Sequence, residues 1–197
     1  RARRNIIKIK SLLPEKTKLM AVVKANAYGH DDETMSKLFS SMGIEHFAVS
    51  NIHEAEKLRS YGIKGDILIL GYTSPEYSEE LSRFDIINTA VSYDHAKALS
   101  ENAESPVRIH IKLDTGMHRL GFDPEKDMPA LVRRLRSQTA LIPRSVFSHF
   151  VGSDSDGFDE FSAEQYRRYL LGADALQAAF PHHILRHMCN SAGIEHF

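Results

Sequence analysis

The sequence predicts an incomplete α/β barrel of the TIM (β/α)8 type, lacking its last unit, with residues 1–197 as one barrel domain. Three observations carry this expectation. Short apolar runs rich in β-branched residues alternate with longer amphipathic stretches almost throughout, a pattern of parallel strands covered by helices. No G-x-G-x-x-G turn follows an early strand, as an open dinucleotide-binding sheet requires. Roughly seven βα units can be counted, one short of the eight that close a barrel.

The elements follow in order. Residues 1–13 read as a helix, with Ile6, Ile9 and Leu13 at helical spacing and Pro14 closing it. Strand-like runs lie at 19–23, 46–49, 67–70, 86–90, 107–113, 145–149 and 184–189. Helix-like segments lie near 33–42, 52–61, 75–84, 93–102, 124–136 and 161–179. G-I-K-G-D before the third strand, Ser74-Pro75 and D-P-E-K at 123–126 supply the punctuation.

Composition narrows the partners. Lys plus Arg is 25 against 26 for Asp plus Glu, so no charge excess draws the chain to nucleic acid or to an acidic membrane, and a small polar partner is expected. The one cysteine, Cys189, gives no intramolecular disulfide framework and fits a reducing, cytoplasmic compartment. No apolar stretch approaches the roughly 20 residues of a membrane helix. Because the chain starts on Arg1 inside a helical pattern and ends within a new segment, N-S-A-G-I-E-H-F, it reads as part of a longer protein.

Lys24 ends the first predicted strand, on the face where such barrels place their chemistry. Desolvation there favours the free amine, a nucleophile or base, although a lysine snorkelling to solvent is the plainer alternative. Lys112–Gly121 reads K-L-D-T-G-M-H-R-L-G at the end of the fifth strand. A lysine and an aspartate two apart point to one side, Asp-Thr-Gly marks a tight turn, and a salt-bridged strand end would explain both. S-H-F at 148–150 places His149 at the same face, and C-N-S-A-G at 189–193 opens a helix after the seventh strand. There Ser191 and Asn190 read either as phosphate contacts or as an ordinary cap.

The block A-V-V-K-A-N-A-Y-G-H at 21–30 closely resembles the pyridoxal-phosphate lysine signature of alanine racemases, fold-type III enzymes, and the blocks at 112–121, 148–150 and 189–193 are similar to further motifs of that family. The resemblance implies that Lys24 carries pyridoxal 5'-phosphate as a Schiff base, that Tyr28 helps hold its phosphate, and that Ser191 contacts the phosphate with Asn190 beside it. It implies a carbamylated Lys112 that orients Arg119 against the cofactor's phenolic oxygen, since a carbamate converts a cation into an anion able to fix a guanidinium. His149 takes a supporting role. One departure is visible: the family continues with glycine after G-H, where this chain has Asp31 and Asp32.

Racemisation of a small amino acid is the activity so implied, alanine for peptidoglycan precursors, with the serine racemases of vancomycin-resistance systems as the neighbouring possibility. In the family the second base is a tyrosine from a partner subunit's C-terminal β domain, and an arginine after the eighth strand meets the pyridine nitrogen. Both lie outside residues 1–197, so a homodimeric parent is expected, with the chain alone inactive and any membrane tether in a domain outside it. A decarboxylase on a related barrel and a noncatalytic pyridoxal-phosphate carrier are the alternatives. No metal is expected: His182, His183 and His187 lack a completing carboxylate or cysteine pattern, and Asp154, Asp156 and Asp159 lack EF-hand spacing. Arg133, Arg134 and Arg136 read as a solvated helix face.

Overall fold

The computed structural model describes residues 1–196, the side chain of Asp156 apart. Its strands are β1 (Met20–Val22), β2 (His46–Val49), β3 (Asp66–Ile69), β4 (Asn88–Ala90), β5 (Val107–Lys112), β6 (Leu141–Phe147) and β7 (Leu185–His187). Each pairs in parallel with the next, β3 and β4 meeting through one Leu68–Ile87 bridge flanked by hydrogen bonds of 2.8 and 2.9 Å. Sequential parallel order is the connectivity of a barrel wall. The helices are α1 (Ala2–Leu12), α2 (Lys24–Gly29), α3 (Asp32–Ser41), α4 (Ile52–Ser60), α5 (Ser78–Arg83), α6 (Tyr93–Asn102), α7 (Met128–Arg136), α8 (Asp159–Ala179) and α9 (Ser191–His196). Among the described residues no helix is long and apolar enough to cross a membrane.

The apolar core is a shell between strands and helices. Phe47, Ile67, Ile109 and Ile111 pack outward against residues such as Leu58 and Leu131, all fully buried. Each such side chain contributes roughly 1.5–3 kcal/mol. The period of two along β5 then turns Arg108, His110 and Lys112 to the inside of the sheet. There Ala48, Leu68 and Ile87, with Met20 and Leu70 packed against them, form a small apolar plug, while His110 Nδ1 lies 3.2 Å from His187 Nε2 and His187 stacks on Phe147 at 4.7 Å. At the strand starts Asp66 takes Arg108 at 2.7 Å and His46 at 3.1 Å, donors that hold its carboxyl well below the usual range, His46 foremost.

Several boundaries differ from the sequence pattern. β6 begins at Leu141, not at 145, its start hidden in the sequence by Pro143 and Arg144; the ladder shifts register there, Ile109 pairing with Pro143 and His110 with Ser145. The segment at 75–84 divides into a 3-10 turn, Pro75–Tyr77, and α5. α7 starts only at Met128, since Asp123 accepts the Glu125 and Lys126 amides at 2.9 and 3.0 Å and closes a turn. His182 and His183 precede β7, and His182 bonds the Pro143 carbonyl at 2.7 Å. Arg134 is no solvated arginine, being three-quarters buried against Ser100 and Glu101. Asp156, one of the three acidic residues after β6, lies outside the described side chains.

Candidate active site

The chain leaves β1 through Val23, whose amide still bonds Ala48 at 2.9 Å, and then reverses hand. Ala25, Asn26, Ala27 and Tyr28 have φ of 50° to 54° and ψ of 38° to 51°, one turn of left-handed helix immediately after Lys24. Residues with a Cβ adopt this region at about 1–2 kcal/mol each, so a run of four persists only where surrounding contacts impose it. Those contacts are specific. The Ala25 amide donates to Glu54 Oε1 at 2.8 Å, Ala27 to the Val23 carbonyl at 2.9 Å, and Asp32 to Asn26 Oδ1 at 2.9 Å. Asp31 also has positive φ, 70°, which explains why glycine suits that position; here its carboxylate instead caps α3 by accepting the Thr34 amide at 2.8 Å.

Lys112, the last residue of β5, is only 6% exposed, with Nζ 4.7 Å from the centre of the Phe147 ring. Among the described residues no carboxylate forms an ion pair with it, which rules out the salt-bridged strand end. Burial foremost, then Arg119, pushes its ammonium down to about 8, against a small opposing pull from Asp114. Asp114 turns instead to its own loop, accepting the Gly116 and His118 amides at 3.0 Å each. Gly121 is required where the loop returns: its φ is +128°, and a Cβ would stand 2.7 Å from the Asp114 nitrogen.

After β6 a buried polar chain ties this loop to His149. Ser148 Oγ donates to the Leu113 carbonyl at 2.8 Å, so its other contact, Thr115 Oγ1 at 2.8 Å, must be the donor there. Thr115 accepts in turn from Gln165 Nε2 at 3.1 Å. Gln165, fully buried on α8, also donates to the His149 carbonyl at 3.0 Å and accepts the Val151 amide at 3.0 Å. Burial first, then Lys112, Arg119 and Lys24, lowers the His149 pKa and keeps the ring neutral.

Lys24, Lys112 and Arg119 therefore all bear on His149 at the carboxyl ends of the strands, and Arg119 bears on Lys112. Tyr28, 61% exposed, and Ser191, exposed at the start of α9, stand at the surface of the same face. Asn190 is a cap: its Oδ1 accepts the Gly193 amide and the Ser153 hydroxyl, both at 2.8 Å. Two further residues, Gln165 and Glu54, hold the site without belonging to its motifs. A lone glutamine in a helix gives no signal, but Asn51 and Glu54 form a visible N-x-x-E helix start.

A family model described as the N-terminal domain of alanine racemase matches residues 1–197. The chain is 31% identical over 198 residues to an alanine racemase of Desulforamulus reducens, covering 99% of the chain and 53% of that protein. It is 34% identical over 195 residues to a serine/alanine racemase of Enterococcus gallinarum, covering 96% and 27%. Among solved structures, alanine racemase of Clostridium difficile 630 superposes with a TM-score of 0.91 at 32% identity, covering 98% of this chain and 54% of that one. The chain thus spans about half the length of the alanine racemases it matches. With the motifs, the sheet order and a match along all its residues in agreement, the chain belongs to the alanine racemase N-terminal domain family.

Proposed function

We propose that this chain is the cofactor-binding barrel of a pyridoxal-phosphate-dependent racemase that interconverts L- and D-alanine in the cytoplasm. The observation that carries the reading is the convergence of Lys24, Lys112 and Arg119 on a neutral His149. Three cations on one face fit a ligand whose phosphate and phenolic oxygen are anionic, and Lys24 supplies the amine that such an aldehyde needs. Tyr28 and Ser191 are the proposed phosphate contacts, and Asn190 shapes the turn that presents Ser191.

The bound cofactor supplies an electron sink that acidifies the substrate's α-hydrogen. The chain's residues do the rest. Lys24 Nζ takes or returns the proton on one face, the amine and ammonium forms exchanging as it does so. Lys112, with no carboxylate partner among the described residues, is an expensive buried cation, and its lowered pKa provides the neutral amine that carbon dioxide can capture. In that step the Lys112 nitrogen bonds the carbon of CO2 and an N–H proton leaves to solvent, giving a carbamate anion. The anion would hold the Arg119 guanidinium by charge-assisted hydrogen bonds. His149, neutral, contributes hydrogen bonding without adding a fourth positive charge.

The second base belongs to residues outside this chain, supplied across a homodimer. A purified full-length protein should show a visible band with pyridoxal phosphate that disappears in Lys24→Ala and is fixed to Lys24 by borohydride. It should also interconvert the alanine enantiomers faster than those of serine. Absence of any Lys24-dependent adduct from the folded protein would end the reading.

A further inference from the structure

We propose that Glu54 is a positioning residue for Lys24, clamping the left-handed turn behind the lysine and balancing its charge. In an ordinary capping box the glutamate at the third helical position reaches back to its own helix start. Glu54 divides its carboxylate instead. Oε2 accepts the Ser50 amide and hydroxyl, both at 2.7 Å, while Oε1 crosses to the Ala25 amide at 2.8 Å, 29 residues away in sequence. That amide is the first backbone group after Lys24, at the entry to the four residues of reversed hand. A helix cap alone does not need this third bond.

Charge points the same way. Burial works to raise the Glu54 pKa, but the Ser50 and Ala25 donors and the field of Lys24 together hold it low, so the carboxylate stays anionic. On the far side of the site Lys24 shares the neutral His149 with the cations Lys112 and Arg119 from β5 and its loop, all three lowering the histidine's pKa. Across the turn, Asp31 is committed to the Thr34 amide and Asp32 to the Tyr61 hydroxyl. Asp114 is committed to its own loop. Among the described carboxylates Glu54 is thus the one that both feels the Lys24 charge and fixes the backbone behind the lysine. The consequence for racemisation rests on the cofactor reading; the clamp itself does not.

The test reads Lys24 directly in the full-length protein, by pulse acetylation with acetic anhydride across pH and mass spectrometry of the Lys24 peptide. Glu54→Gln, isosteric but uncharged, should move the Lys24 labelling midpoint down by about 0.5–1 pH unit, because an anion that favours the ammonium is gone. Glu54→Ala should also accelerate hydrogen exchange at the Ala25 amide by about tenfold, with far-ultraviolet circular dichroism unchanged. Folded variants with an unmoved Lys24 midpoint and an unmoved Ala25 amide overturn the proposal. Should the variants not fold, the wild type decides: Ala25 protection that falls only in acid, below the ordinary glutamate range, supports the clamp, and protection indifferent to that titration refutes it. Borohydride trapping with pyridoxal phosphate runs in parallel. A shifted labelling profile without a trapped adduct leaves the clamp standing and removes the cofactor reading.

Discussion

Burial and the neighbouring Arg119 bring the folded Lys112 pKa to about 8, whereas the unfolded chain keeps that proton until about 10.4. Between those values the unfolded state binds more protons, so stability rises with pH across this window and is lower by about 3 kcal/mol below it. Urea titrations in buffer free of carbon dioxide should show this rise, and Lys112→Met should abolish it. Added bicarbonate should stabilise the wild type near pH 8 and leave the variant unchanged. A flat wild-type profile would contradict the burial argument. Gln165 acts through geometry, not charge. Gln165→Leu strands the Val151 amide and the His149 carbonyl and leaves Thr115 without its donor, so we expect a loss of about 2–4 kcal/mol and a lower melting temperature. A loss under 1 kcal/mol in calorimetry would mean that water replaces the amide. The strand-end placement of Lys24, Lys112 and His149 was legible in the motifs that carry them; the place of Gln165 was not, because only the fold reveals what a buried helix face meets.

At the level of elements, the left-handed turn after β1 carries conformational cost that one substitution relieves. Ala25 is exposed with φ 52°, a conformation glycine enters freely, so Ala25→Gly should stabilise the folded chain by about 1 kcal/mol in urea unfolding. A destabilisation instead would show that the methyl group contributes packing. The turn also marks a limit of sequence reading: K-A-N-A-Y-G has the composition of an unremarkable helix start, and hand is decided by hydrogen bonds that Glu54 accepts from Ala25 and Asn26 accepts from Asp32, which local periodicity does not show. β2 and α6 appear at the residues their patterns mark, since β2 is buried on both faces and α6 buries one face through Ala96 and Leu99 while the other is exposed. β6 was half hidden, because a register shift at a proline breaks the alternation on which strand recognition depends.

The whole molecule is a helix-covered parallel sheet whose inner side is polar. Burial first, then Lys112, pushes the His187 pKa down to about 3, and burial, then His187, holds its partner His110 well below the usual range as well. An unfolded histidine protonates near 6.5, so stability present above that pH is lost on acidification toward the folded value. His187→Gln keeps a polar partner for His110 but does not titrate. It should therefore lose about 2 kcal/mol less than the wild type between pH 7 and pH 4.5, measured by urea midpoints at each pH; equal losses would assign acid sensitivity elsewhere. This polar lining divides the molecule's tolerance of change into two regimes. Substitutions in the outer apolar shell are screened for volume and shape, and neighbours can repack around them. Along the inner axis a side chain of the right size with the wrong proton count is rejected. A saturation survey of variants should consequently read as size on the odd residues of β5 and as charge on the even ones.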